Sequence, residues 1–411
     1  MCESEDNIIT EGKYVIVKKQ NFKKIYKVTT NGSLTLGRDL VDMSQIIGKR
    51  FWTTFEMIPA KHGKRTHTLI ETTETESLND LLNELPSGND NRTINDDGTS
   101  QKLSKEEILQ LQESGKSGKE IVGSLIENNK CFLDRTGYSQ EKYLKKKEKK
   151  YLRYLTVCKP NISSLHDVYF QLDHSKIANL RMDTLAQLLS YSDVQSEGLY
   201  ILYDSGSQGL PAAAMLNRIG TNTEGCLINL HPGNVHQAML INSMNFPEEQ
   251  LNRLVNVNIY SFLRLHYQGE KDTDSNLTTL KRKLDESNED ESTEIIPMKK
   301  PKWFFETQRA VELVQNSKAR GLVIVAKEHP LNIATALLSF LGASRPFVIY
   351  HVHREPLQET YMMLKQKQNV INLRLNSNFL RSYQVLPDRT HPDILTSDTG
   401  GYLLTGYLVQ Q

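Results

Sequence analysis

Residues Gly198 to Gly220, GLYILYDSGSQGLPAAAMLNRIG, constrain the fold more than any other stretch of this chain. Leu199, Ile201 and Leu202 make a short apolar run that Asp204 ends. Gly206 and Gly209 then bracket a turn, and Pro211 opens a helix through Ala212, Ala213, Ala214, Met215 and Leu216. A buried strand, a glycine turn and a helix in that order are the opening unit of a nucleotide-type α/β domain. In a working D-x-G-x-G-x-G loop the central glycine lets the backbone approach a ligand, and free amides at the helix start face it. Here Ser207 and Gln208 stand between the two glycines, so the loop is degenerate. The next strand, Cys226 to Leu230, runs on into His231-Pro232-Gly233 and offers no acid to hold ribose hydroxyls. Such a turn also serves as a plain structural link, and the rest of the chain has to decide between the two readings.

Downstream the alternation is regular. Strands near Leu199 to Asp204, Cys226 to Leu230, Val255 to Tyr260, Leu322 to Ala326 and Phe347 to His351 are separated by helical spacers, which predicts a largely parallel, doubly wound sheet. Val370 to Leu375, Ser382 to Leu386 and Tyr402 to Val409 read as sheet-edge strands with hairpin connections, and the first and last of them as subunit contacts. Upstream, short alternating runs between Lys13 and Thr73 predict a small β-barrel or sandwich with Trp52 and Phe55 in its core and a tight hairpin at Asn31-Gly32. A polar connection from Glu74 to Gln101 precedes two helices opened by the capping boxes Ser104-x-x-Glu107 and Ser117-x-x-Glu120. A third helix over Ser139 to Tyr151 leads into a strand over Leu152 to Lys159. Gln268 to Lys302 is charged and poor in large apolar residues, which predicts a disordered insert. The division is therefore an N-terminal β domain at 13–75, a polar linker and helical basic segment at 76–160, and a Rossmann-like domain at 161–411 with an insert at about 268–302.

Fifty basic and 49 acidic residues give a net charge of +1, so a nucleic-acid surface requires local segregation of charge. Segregation occurs from Lys142 to Arg153, where Lys142, Lys145, Lys146, Lys147, Lys149, Lys150 and Arg153 face one acid, Glu148, with Tyr143, Tyr151 and Tyr154 interleaved. Phosphate contact and a merely solvated helix face are the two readings. Arg374, Arg381 and Arg389 are further RNA candidates, the alternative being pairing with neighbours such as Asp388. The four cysteines, Cys2, Cys131, Cys158 and Cys226, are far apart and have no histidine at ligand spacing. Neither a metal site nor a disulfide framework is expected, and a reducing compartment follows. Without a long apolar run, the chain is expected to be soluble, not secreted and away from membranes. Lys299-Lys300-Pro301-Lys302 has the form of a nuclear-import signal.

Several long blocks then stand in one order: Asn91 to Leu103 (NRTINDDGTSQKL), Tyr138 to Lys147 (YSQEKYLKKK), Arg181 to Leu188 (RMDTLAQL), Ser344 to Tyr350 (SRPFVIY), Val370 to Leu375, Tyr383 to Pro392 and Gly400 to Gly406. With these blocks the chain resembles the non-catalytic subunit of the eukaryotic tRNA adenine-N1-methyltransferase, the complex that modifies T-loop position 58. The resemblance implies a β domain, a helical linker and a Rossmann-like methyltransferase domain without activity. It also implies a dimer of heterodimers with a catalytic paralogue, tRNA as substrate, a nuclear location and no cofactor on this chain, S-adenosylmethionine being used by the partner. An active relative would end its fourth sheet strand in an acid for the target adenine, whereas Val323 to Pro330 places Lys327 there, with Glu328 one residue later. Two rivals remain at this point. One is an active S-adenosylmethionine-dependent RNA methyltransferase using Asp204, Gly206 and Gly209, with Glu328 or Asp388 acting on the substrate. The other is an RNA-binding scaffold with no methylation role.

Overall fold

The computed structural model describes residues 7–20, 22–60, 65–73, 88, 100–113, 116–269, 301–386, 389–393 and 400–409. Most of the polar connection, the charged insert between 270 and 300, and Asp388 lie outside the described residues. The chain divides into two compact units, Met1–Pro160 and Asn161–Gln411.

The first unit is built on β1 (Tyr14–Lys19), β2 (Phe22–Lys27), β3 (Ser33–Leu36), β4 (Asp39–Asp42), β5 (Thr53–Pro59), β6 (Thr66–Thr72) and β7 (Tyr154–Cys158). Their order in the sheet is β2-β1-β7-β5-β6-β4-β3. The two end strands approach each other, with Lys24 Nζ on β2 donating to the Thr35 carbonyl on β3 at 2.9 Å, so the sheet curls into a nearly closed barrel. Alternating residues fill it: Val15, Val17, Phe55, Met57, Leu69, Leu155 and Val157 share one core. Phe55 lies in that core as expected, but Trp52 is 62% exposed. Trp52 occupies the turn before β5 at φ +72°, its amide held by the Val157 carbonyl, and this left-handed backbone aims the indole away from the barrel. Asn31-Gly32 does not form the tight hairpin either, because β2 and β3 stand at opposite ends of the sheet order and are not paired. The two-residue turn falls instead at Gly37-Arg38, between the paired residues Leu36 and Asp39.

Helices α1 (Lys105–Glu113), α2 (Gly118–Glu127) and α3 (Gly137–Tyr151) precede β7. Both capping boxes form. The Glu107 amide donates to Ser104 Oγ at 3.2 Å and the Ser104 amide to Glu107 Oε2 at 2.7 Å, and Ser117 and Glu120 repeat the exchange. Ile121, Val122, Leu125 and Ile126 of α2 pack with Phe132, Leu144 and Tyr151.

The second unit opens with α4 (Ile162–Asp173) and α5 (Met182–Tyr191). There follow β8 (Leu199–Asp204), α6 (Leu210–Ile219), β9 (Cys226–His231), α7 (Met239–Ser243), α8 (Glu248–Leu251), β10 (Leu254–Asn258), α9 (Ile259–Gln268) and α10 (Lys302–Asn316). After these come β11 (Gly321–Val325), α11 (Pro330–Leu337), β12 (Arg345–His351), α12 (Glu355–Lys367), β13 (Val370–Ser377), β14 (Tyr383–Leu386), β15 (Arg389–Pro392) and β16 (Tyr402–Leu408). The seven-stranded order is β10-β9-β8-β11-β12-β16-β13, parallel except for β16, which runs antiparallel to β12 and β13. Two details differ from the sequence reading. Strand β10 stops at Asn258 because that side chain accepts from the amides of Tyr260 and Ser261 and starts α9 there. Of the tail strands β13 is the edge of the large sheet and β14 pairs with β15 in a separate two-stranded antiparallel ribbon, but β16 lies inside the large sheet. No described helix is long and apolar enough to cross a membrane.

Candidate functional site

Strand order reverses at β8, whose successors lie on its two sides as β9 and, after the crossover, β11. Ligands of open α/β sheets bind beyond the strand ends at such a switch point. The glycine loop sits there. Asp204, at the end of β8, is 7% exposed, and its carboxylate turns back into its own loop: Oδ1 accepts from the amides of Gly206 and Ser207 at 3.0 Å each, and Oδ2 accepts from Ser207 Oγ at 2.6 Å. Burial pushes this carboxyl up, while those donors, Ser207 first, pull it back down. The Gln208 amide is taken by Gln237 Oε1 at 2.9 Å. Gly209 at φ +77° begins α6, and a Cβ there would lie 2.7 Å from the Gln237 carbonyl. Over Gly206 lies Lys327, whose Cε and Nζ are each 2.7 Å from where a Cβ would stand.

The other two positions are equally committed. Glu328 accepts from the hydroxyl of Tyr203, and its Oε2 from the Lys327 amide at 3.1 Å. Burial opposes ionisation of Glu328, yet bonds from Tyr203 and Ser205 hold it below the ordinary carboxylate range. Tyr203 is pushed up by burial and then by Glu328. His231 ends β9 where a ribose-binding acid would stand; its Nδ1 donates to the Gly233 carbonyl at 2.8 Å, and burial lowers its pKa, keeping it neutral. A cleft of about 580 Å³ beyond β9 and β10 is lined by His231, His236, Asn256, Asn258, Tyr260 and Trp303. The residues present do not fit S-adenosylmethionine. Three loop amides that would face a ligand are bonded within the chain, a lysine lies against the glycine, and no acid stands at the ribose position.

The candidate basic residues are only partly alike. On α3, Lys142 and Lys146 are exposed, and Lys145 pairs with Glu141 at 2.6 Å one turn earlier. Lys147 lies 5.0 Å from the Tyr143 ring centre and Lys150 5.1 Å from that of Tyr151. Burial, followed by Lys150 and Lys146, lowers the Lys147 pKa. Lys149 belongs to the same helix. Arg153 lies beyond the helix and contacts His67 Nε2 through Nη1 at 3.1 Å, so it is a link between β6 and β7. In the second unit Arg374 is exposed on β13 and its Nε donates to Asn372 Oδ1 at 3.0 Å. Arg381 is exposed before β14, and Arg389 opens β15.

The family model described as Gcd10p family matches residues 8–294. The chain belongs to the Gcd10p family. Relatives include the tRNA (adenine(58)-N(1))-methyltransferase non-catalytic subunit of Mus musculus, 32% identical across 98% of this chain and 89% of that protein. The subunit of the same name from Dictyostelium discoideum is 29% identical across 99% and 80%. A SAM-dependent O-methyltransferase from Thermotoga maritima matches the fold with a TM-score of 0.53 at 10% identity, covering 100% of this chain and 98% of that one. The Gcd10p-family chain thus carries a methyltransferase fold whose loop is turned inward. Sequence reading named Asp204, Gly206, Gly209 and Lys327 but missed Gln237 and Tyr203. Neither belongs to a motif, and both reach their partners, Gln208 and Glu328, only through the folded sheet.

Proposed function

We propose that this chain is the non-catalytic subunit of a tRNA (adenine-58-N1)-methyltransferase, holding tRNA for a catalytic paralogue that binds S-adenosylmethionine. The observation that carries the reading is the self-bonded loop of Asp204, Ser207 and Gln237 on a methyltransferase fold in a Gcd10p-family chain. The chain is not the catalytic subunit, and it binds no cofactor of its own. A base in the T-loop of folded tRNA has to be exposed before it is modified, which calls for a broad grip on the backbone by lysine and arginine. The exposed Lys142 and Lys146, with Arg374 and Arg381, are suited to that role. A nuclear site of action and a dimer of heterodimers belong to the same proposal.

Methyl transfer to unmodified tRNA is expected from the co-expressed pair and from neither chain alone. Charge reversal of Lys142 and Lys146 should weaken tRNA binding by the pair. Methylation by this chain alone, or S-adenosylmethionine binding to it in calorimetry, would overturn the reading.

The partner surface is assigned to the C-terminal strands. Ile371 on the edge strand β13 is 54% exposed, and Phe379, Tyr383 and Val385 on the approach to and within β14 are 88%, 56% and 74% exposed. Leu373, by contrast, packs on the sheet core. Ile371→Asp combined with Phe379→Asp is expected to release the catalytic subunit on size exclusion while leaving this chain folded; an intact complex would rule out this surface.

A further inference from the structure

The cleft beyond β9 and β10 is one half of a longer groove. A second cavity of about 430 Å³ shares His236, Asn256 and Glu306 with it, so the two adjoin along the start of α10. No residue of the Asp204 to Gly209 loop lines either cavity. The walls are held in place by the fold. The Asn258 side chain donates through Nδ2 to the carbonyls of Pro232 and Gly233 at 3.2 and 2.9 Å, which pins the loop after β9 to the end of β10. Phe304 is buried and anchors the first turn of α10, where Thr307 Oγ1 donates to the Trp303 carbonyl at 2.7 Å. Trp303 and Phe305, on either side of Phe304 in the chain, are turned to different sides of the helix, one lining each cavity, and are 49% and 55% exposed. Tyr260, 71% exposed, joins Trp303 in the larger cavity.

The polar groups suit the edge of a base. Nδ1 of His231 donates to Gly233, which makes its Nε2 an acceptor, and Asn229 Nδ2 donates to Asn256 Oδ1 at 2.8 Å, which leaves Asn256 its own Nδ2 to give. Burial lowers the pKa of His236 as it does that of His231, so neither ring brings a charge at neutral pH. Among the lining residues Glu306 is the lone carboxylate, suited to a ribose hydroxyl, and the cations Lys302 and Arg309 line the smaller cavity alone. Lys302 reaches Glu306 only at 3.7 Å with its side chain 91% exposed, a surface pair that a phosphate can displace. Arg309 donates to the Asn252 carbonyl through one Nη2 bond at 2.7 Å, and its guanidinium has further donors.

We infer that this groove holds an unpaired segment of RNA, with one base against Tyr260 and Trp303, the next against Phe305, and the phosphate between them at Lys302 and Arg309. A lone nucleoside would use one cavity; an aromatic wall in each and cations in only one match a strand. The inference rests on the tRNA-holding role proposed above and extends it from backbone contact to base contact.

The test is fluorescence anisotropy of labelled oligouridylate, and of a duplex RNA of the same length, with the full chain co-expressed with its catalytic subunit at about 0.1 M salt. Trp303→Ala is expected to weaken oligouridylate binding roughly 5- to 150-fold, the range for removing one base–aromatic stack. The duplex, whose bases are paired and stacked on one another, should bind as before. Trp303→Phe should restore most of the affinity. Glu306→Gln should bring the affinities of oligouridylate and oligodeoxyuridylate together, because the ribose hydroxyl then loses its carboxylate. Equal effects of Trp303→Ala on strand and duplex, no effect on either, or free uridine binding as tightly as the oligonucleotide would overturn the inference. Each of those results leaves tRNA binding through α3 intact, since Lys142→Glu with Lys146→Glu reads that contact separately on tRNA and duplex. Failure of the wild-type pair to bind tRNA would instead remove the tRNA-holding role.

Discussion

Asp204→Ala is expected to destabilise the Asn161–Gln411 unit by roughly 2–4 kcal/mol, because each buried donor left without an acceptor costs about 1–3 kcal/mol. The donors are the amides of Gly206 and Ser207 and the Ser207 hydroxyl, and Ser207 is fully buried. In an active enzyme the same substitution would be expressed first as lost cofactor affinity; here it should be a stability defect. Asp204→Asn keeps an oxygen for the two amides and removes a charge that burial disfavours, so its cost should be clearly smaller. Urea unfolding, with hydrogen exchange of the β8 and α6 amides, measures both. An alanine variant within about 0.5 kcal/mol of wild type, the range of ordinary surface changes, would show that the carboxylate is not holding the loop.

Arg181→Ala is the second large effect, at about 3 kcal/mol, the lower end of the scale for breaking a buried ion pair by removing one partner, because the Asp183 left behind is only partly buried. Arg181 is 4% exposed at the start of α5. Its Nε and Nη2 donate to the two oxygens of Asp183 at 2.8 and 2.6 Å, and Nη2 also donates to the Asn378 carbonyl at 3.1 Å. The guanidinium packs so closely on Gly400 that a Cβ there would lie 2.8 Å from Cζ, and Thr184 Oγ1 donates to the Gly400 carbonyl at 2.9 Å. One side chain thus ties α5 to the segments that follow β13 and precede β16. Lysine cannot reproduce the fork, so Arg181→Lys should recover only part of the loss. The pH dependence has a definite sign. Bonds from Arg181 hold the Asp183 carboxyl below its ordinary range, so its stabilising contribution is complete above the unfolded value of about 4 and is lost as pH falls through the lower folded value. Arg181→Ala should flatten the acid limb of the stability profile below about pH 4. Equal acid sensitivity in wild type and variant would count against the pair.

What could be read in advance follows the range of the interactions. Ser104 and Glu107, or Ser117 and Glu120, are three residues apart and bond within one turn, so their helices were legible. Trp52 was misplaced because an aromatic in an alternating run reads as core, while the left-handed turn that expels it depends on Val157, a strand added about a hundred residues later.

The sequence by itself determined the alternation of strands and helices, the broken glycine turn after Asp204 and the family to which the chain belongs, because each is carried by neighbouring residues or by ordered blocks of them. Only the tertiary structure decided that β7 completes the barrel, that β16 is interior while β13 is the edge, and that Gln237, Tyr203 and Lys327 occupy the glycine loop's surroundings. The contacts of Gln237 and Tyr203 join residues 29 and 125 positions apart. Their partners are chosen by sheet order and packing, to which no local pattern of side chains is coupled.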